Sequence, residues 1–135
     1  MQDSKLIEII RTFSTNEIKS FEKFIASPYF ARGRDVLGLF SIIKKYYPDF
    51  NILALEKKHI YSKLYPKEKY NEKKLKNFSF ELTKLAEQFI LFESLKSDKL
   101  ENRLRFTEEL KKRDLDNLFL SSLKTLENQL EESLF

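Results

Sequence analysis

Between Asn71 and Ser97 the apolar residues Leu75, Phe78, Leu82, Leu85, Phe89 and Phe92 recur at intervals of 3, 4, 3, 4 and 3. This spacing keeps all six on one side of an α-helix, which a strand of period two cannot do. It dictates a helix over about 72–96 with Asn71 as its N-cap. At 1.5 Å per residue such a helix is about 37 Å long, enough to cross a small domain. The heptad lasts about two and a half repeats, short of the three to four that argue a dimeric coiled coil. Ala86, Ile90 and Leu95 widen the stripe, so the helix reads as a central one packed on two sides.

The rest of the chain has the same helical grammar. Leu6, Ile7, Ile9 and Ile10 make a short helix over about 4–12. Ser14 and Glu17 have the spacing of a capping box, which opens a helix over about 15–26 that buries Ile18, Phe21, Phe24 and Ile25. Ser27-Pro28 ends it, because proline disfavours helical geometry at the residue before it. The stretch from Ser27 to Arg34 reads as a loop, with Gly33 free to take a positive φ and Asp35 able to cap the next helix. That helix covers about 36–47 and stops at Pro48; another covers about 55–65 and stops at Pro66. Asp98 with Glu101 starts a helix over about 99–112. Asp114 is read as the cap of a last helix over about 115–134, with Leu115, Phe119, Leu123, Leu126, Leu130 and Leu134 inward. No run alternates cleanly with period two, and no Asn-Gly or Asp-Gly turn occurs. The expected fold is all-α: a compact bundle of six or seven helices with a long central helix, possible as the start of a helical array. Residues 1–135 read as a single helical domain, divisible into a core bundle at 1–97 and an αα-hairpin at 98–135.

What the chain lacks narrows the function. It has no Cys, one His and two Gly in 135 residues. That removes a disulfide framework, a thiolate zinc site, a Cys nucleophile, a His pair for zinc and a Gly-rich phosphate loop. No apolar run is long enough to span a bilayer, and Met1 to Ser4 lacks the start of a secretory signal. The expectation is a bacterial-type cytoplasmic protein with no membrane insertion. His59 has Glu56 three residues back, an ordinary helix pair rather than a catalytic dyad. Glu108 and Glu109, Asp114 and Asp116, and Glu131 and Glu132 read as helix charges, and no serine has the flanking glycines of a nucleophile elbow. No enzyme, cofactor or metal site is expected.

Charge is distributed unevenly. Residues 57–80 carry eight lysines against Glu68 and Glu72, a net +6, while residues 81–135 sum to −3. The basic stretch covers the helix over about 55–65, the turn from Pro66 to Tyr70 and the first turns of the long helix. This is the layout of a helix-turn-helix reader, in which Lys67, Lys69, Lys73, Lys74 and Lys76 lie near phosphates while Asn71 and Asn77 reach base edges. The competing account is a solvated face, since lysine is mostly exposed in any fold and only six of the 25 basic residues are Arg.

On Tyr65-Pro66, the polar turn and the inward Leu75, Phe78, Leu82 and Leu85, residues 55–91 are similar to the two-helix core of bacterial winged-helix transcriptional activators. The resemblance implies nucleic-acid binding. The chain departs from that pattern after Phe89, where it stays helical instead of forming a wing, and at Glu81 and Lys84, where arginines would be usual. The run from Phe21 through Ser-Pro-Tyr-Phe to Pro48 and Tyr65-Pro66 resembles the N-terminal part of a family of uncharacterised, largely helical bacterial proteins. That resemblance implies an all-α fold with a further C-terminal part, and no activity or ligand.

A second surface comes from the aromatics. Tyr29, Phe30, Arg32 and Arg34 combine the aromatic and guanidinium anchors that interface hot spots favour. Leu134 and Phe135 either continue into a longer helical protein, pair with another chain, or fold back on the core. The favoured function is a non-catalytic helical protein-interaction module, with another protein or self-association as partner. The alternative is a nucleic-acid binder using residues 57–80.

Overall fold

A computed structural model of the chain describes residues 5–31, 36–50 and 56–134, apart from the side chains of Phe30 and Ala31. Among the described residues the structure is all-α, with no strand. It divides into two compact units, Met1–Phe89 and Ile90–Phe135.

The first unit holds the main core, drawn wholly from residues between Leu6 and Phe89. Helix α1 (Lys5–Ile10) buries Leu6, Ile7 and Ile10. Helix α2 (Thr15–Ala26) begins at the expected capping box: the Glu17 N–H donates to Ser14 Oγ at 3.1 Å, and the Ser14 N–H donates to Glu17 Oε1 at 2.9 Å. Ser27 ends it, but the following residues are not a loop. Pro28 starts a single helical turn, α3 (Pro28–Ala31), because its fixed φ suits the first helical position. Helix α4 (Val36–Ile43) buries five of its eight residues and tightens into a 3-10 turn over Lys44–Tyr46 before Pro48. Helix α5 (Lys57–Leu64) and the long helix α6 (Glu72–Ser97) complete the unit, α6 through residue 89.

Phe89 organises the core. Its ring lies 5.3 Å from Phe13, 5.2 Å from Phe21 and 5.6 Å from Phe24, all tilted or edge-on, and Phe21 meets Phe40 edge-on at 5.0 Å. These are the geometries in which ring quadrupoles attract. Phe92 shares the sequence heptad but is exposed, as is Ile90. The aromatic core ends at Phe89, one turn before the heptad stripe does.

The second unit is the end of α6 with a helical hairpin. Asp98 caps helix α7 (Lys99–Lys112), accepting from the Glu101 N–H at 3.0 Å. Asp114 does not cap helix α8 (Asp116–Leu134) as expected; it terminates α7. Its φ is 58°, the Asp114 N–H donates to Lys111 O and the Leu115 N–H donates to Leu110 O, the two bonds of a Schellman motif. Aspartate tolerates the left-handed region better than most residues, which allows it to replace the usual glycine.

Between α7 and α8 only Leu110, Leu126, Thr107 and Ser122 are buried. Thr107 Oγ1 donates to Arg103 O at 2.7 Å, so its contact with Ser122 Oγ, also 2.7 Å, is one in which Ser122 donates. Arg103 Nη1 reaches Ser122 Oγ at 3.5 Å. The seam is thus two leucines and a closed polar ring. Of the α8 positions expected to face inward, Leu115, Leu130 and Leu134 are exposed, since one neighbouring helix is too narrow to cover them.

Candidate functional site

Two regions carry the expected contact residues. The first is the turn from α5 to α6. Tyr61 is buried there, with its ring 5.3 Å from Tyr65 and 5.6 Å from Tyr70, and Tyr65 stacks on Phe78 at 6.3 Å. The Tyr61 hydroxyl donates to Glu68 Oε2 at 2.8 Å. Burial, reinforced by that bond to a carboxylate, pushes the Tyr61 phenol up to about 12. The hydrogen bonds from Tyr61 and then from Lys74 hold the Glu68 carboxyl below its usual range. Burial and then the charge of Glu72 push Tyr70 up as well.

This lock decides the fate of the basic residues. Lys74 Nζ sits 3.2 Å from Glu68 Oε2 and 3.8 Å from the centre of the Tyr65 ring, so it braces the turn. Asn71 Oδ1 accepts from the Lys74 N–H at 3.1 Å and is the cap of α6. Lys57 pairs with Glu72 at 3.9 Å, Lys58 lies over Tyr70, and Lys63 donates to the Tyr46 hydroxyl at 2.8 Å. Lys67, Lys69, Lys73 and Lys76 are exposed and have no ion-pair or hydrogen-bond partner among the described residues. Lys76 and Asn77 line a groove of about 450 Å³ along α6, with Phe80, Thr83, Lys84 and Glu87. Lys5, also on its wall, pairs with Glu87 at 3.3 Å.

The second region is the α7–α8 hairpin, which the sequence reading reached only at Leu134, 78% exposed. A groove of about 490 Å³ runs between the helices, floored by Leu104, Thr107, Phe119, Leu123 and Leu126. Glu108, Lys111 and Lys112 form its rim. Lys111 Nζ lies 5.3 Å from the Phe119 ring centre, and Lys112 pairs with Glu109 at 3.3 Å. Leu118, Leu120 and Leu130 are exposed on α8, Leu120 at 61%. A second cleft of the hairpin, of about 350 Å³, is lined by Lys99, Asn102, Arg103, Phe106 and Gln129. The buried Gln129 Oε1 has no hydrogen-bond partner there. The signal that was available in the sequence is the pair Leu118 and Leu120, which cannot both face one neighbouring helix.

Of the other expected interface residues, Tyr29 is 84% exposed at the α3 turn. Arg32, Arg34, Phe135 and the side chain of Phe30 lie outside the described residues, as do Gly33 and Asp35. His59 is exposed on α5, and no ion pair or hydrogen bond joins it to Glu56 among the described residues. No group of three or more His, Asp or Glu that could hold a metal occurs among the described residues. No helix among them is long and apolar enough to cross a membrane. In comparisons with known proteins, no family model, no curated protein and no solved structure matches the chain.

Proposed function

We propose that the chain is a non-catalytic helical protein-interaction module of the cytoplasm whose contact surface is the α7–α8 hairpin. One observation carries this reading: the hairpin buries only two leucines between its helices while it exposes Leu104 in an apolar groove, Leu120, Leu130 and Leu134 on the α8 flank beside that groove, and Leu118 on the other flank. Contiguous exposed apolar surface with a charged rim is the composition of a docking site. Each side chain of acid–base chemistry weighed above has a plain structural role or stands alone, which fits a binding protein better than an enzyme. The test is affinity capture on the tagged full chain in its source cells, wild type against Leu120→Glu/Leu130→Glu. The expected result is loss of the stoichiometric partners with helix content retained. Capture of the same partners by the variant overturns the reading.

A second reading is favoured by a separate observation, the four lysines that project without partners around the α5–α6 turn. It is a nucleic-acid contact made through phosphates. Asn71 and Lys74 are committed to the fold, so sequence-specific readout would fall to Asn77. Binding to mixed duplexes should weaken steeply with salt, with a slope set by the number of phosphates neutralised. Lys67→Ala/Lys69→Ala/Lys73→Ala/Lys76→Ala should flatten that slope. Binding with an unchanged slope in this variant removes the reading.

A further inference from the structure

We infer that the apolar groove between α7 and α8 is occupied by α8 of a second copy of this chain, in a contact that the two copies make reciprocally. The inference rests on the interaction-module reading and adds the identity of the partner.

The same hairpin carries both halves of a complementary pair. The groove has an apolar floor and two lysines, Lys111 and Lys112, on its rim. The edge of α8 beside it carries Leu120, Leu123, Glu127, Leu130 and Leu134 at intervals of 3, 4, 3 and 4, a heptad ridge of the kind that seats in such grooves. Leu120, Leu130 and Leu134 on that ridge are exposed. Glu131, four residues after Glu127, stands on the same edge. Glu127 and Glu131 are exposed and have no ion-pair partner among the described residues.

The charge contrast extends to the whole helices. Helix α7 has five basic residues against three acidic, while α8 has one basic against four acidic. An occupant of the groove should be an amphipathic helix with an apolar ridge and flanking acids, and α8 itself answers that description. Glu108, the one acid on the rim, finds its counterpart in Lys124, the one base of α8. A two-fold axis makes every such contact twice, because the surface is self-complementary. The 19 residues of α8 span about 28 Å, and two helices side by side present a face about 20 Å wide. That face, about 560 Å² per partner, approaches the low end of the ~600–1,000 Å² per partner that specific interfaces bury.

The experiment is sedimentation velocity on the full chain over a concentration series, with two charge-reversed variants, Lys111→Glu/Lys112→Glu and Glu127→Lys/Glu131→Lys. Wild type should show a concentration-dependent dimer. Each variant alone should raise the dimer Kd at least about tenfold, since like charges then face each other at every contact. An equimolar mixture should recover a heterodimer within about threefold of the wild-type Kd, because one contact then carries the wild-type pairs and the other the same pairs with reversed sign. Recovery also proves that both variants fold. A wild-type chain that stays monomeric up to about 200 µM, far above a micromolar Kd, overturns the inference, and so does a mixture no tighter than the single variants. A monomer would refute the second copy alone; retained capture by Leu120→Glu/Leu130→Glu would refute the wider reading.

Discussion

Phe89→Ala is expected to unfold the first unit far more readily than Phe92→Ala, although the two phenylalanines occupy equivalent places in one heptad. Phe89 is 1% exposed and makes three close ring contacts, whereas Phe92 is 42% exposed. Truncating a fully buried Phe costs about 3–5 kcal/mol from lost transfer energy and the cavity left behind. Phe89→Leu keeps most of the buried area and forfeits mainly the ring geometry, worth about 0.5–1.5 kcal/mol per pair, so it should cost about 1–3 kcal/mol. Phe92→Ala should cost about 1 kcal/mol or less. The assay is urea unfolding followed by tyrosine fluorescence. The chain has no Trp, and all six tyrosines lie between residues 29 and 70, so the signal reports the first unit. With an m-value of about 1.5 kcal/mol/M, a loss of about 4 kcal/mol lowers the midpoint by about 2.7 M. Equal midpoints for Phe89→Ala and Phe92→Ala, or for Phe89→Ala and Phe89→Leu, would refute the assignment of Phe89 as the centre of the core.

Four further outcomes follow from particular contacts. Glu68 has a lowered folded pKa, so its contribution is present above the unfolded carboxylate value and is lost as pH falls through the folded one; Glu68→Gln should flatten the acid limb of a stability–pH curve measured by tyrosine fluorescence. Tyr61 is raised to about 12, so its contribution is complete below pH ~10 and disappears as pH climbs towards 12; Tyr61→Phe should remove one late-titrating phenol from the ultraviolet absorbance titration. Asp114→Gly should stabilise the hairpin by up to about 1 kcal/mol because φ is 58° there, visible in circular dichroism while tyrosine fluorescence stays unchanged; a destabilised hairpin would show that the Asp114 side chain matters more than its backbone. Thr107→Val leaves the Ser122 hydroxyl without its acceptor and should cost about 1–2 kcal/mol, whereas adding Ser122→Ala should recover most of that loss; strictly additive costs in a denaturation cycle would mean the two hydroxyls are not coupled.

Helix ends were legible wherever a residue carries its own stop or start signal. Ser14 with Glu17, Pro28, Pro48, Pro66, Asn71 and Asp98 act through local backbone chemistry, and the observed boundaries lie close to them. Partnership was not legible, because it depends on residues far along the chain. Phe89 and Phe92 look alike until Phe13, Phe21 and Phe24 take one of them. Lys73 and Lys74 are neighbours in a basic run, yet only Lys74 is drawn onto Glu68 and Tyr65. Asp114 is a good N-cap residue by type, but the preceding helix needed a left-handed stop and took it first. The hairpin surface was the largest omission, since an apolar residue at helical spacing is normally assigned to a core.

The geometry of α8 explains why that assignment fails. Residues on an α-helix advance by about 100°, so Leu118 and Leu120 stand about 200° apart, on either side of the line through Ser122 and Leu126 that faces α7. One packed helix covers a stripe of roughly 100°. With Leu118 on one flank and Leu120, Leu130 and Leu134 on the other, the apolar arc is about twice what α7 can bury. The seam that α7 does bury contains Thr107 and Ser122, which add direction and little hydrophobic free energy. A hairpin whose sole purpose was to be stable would place its leucines in that seam and its polar residues outside. This one holds a polar ring inside and leaves leucines outside, a distribution that aligns α7 and α8 with each other and leaves apolar area exposed, the area on which the proposed contact is built.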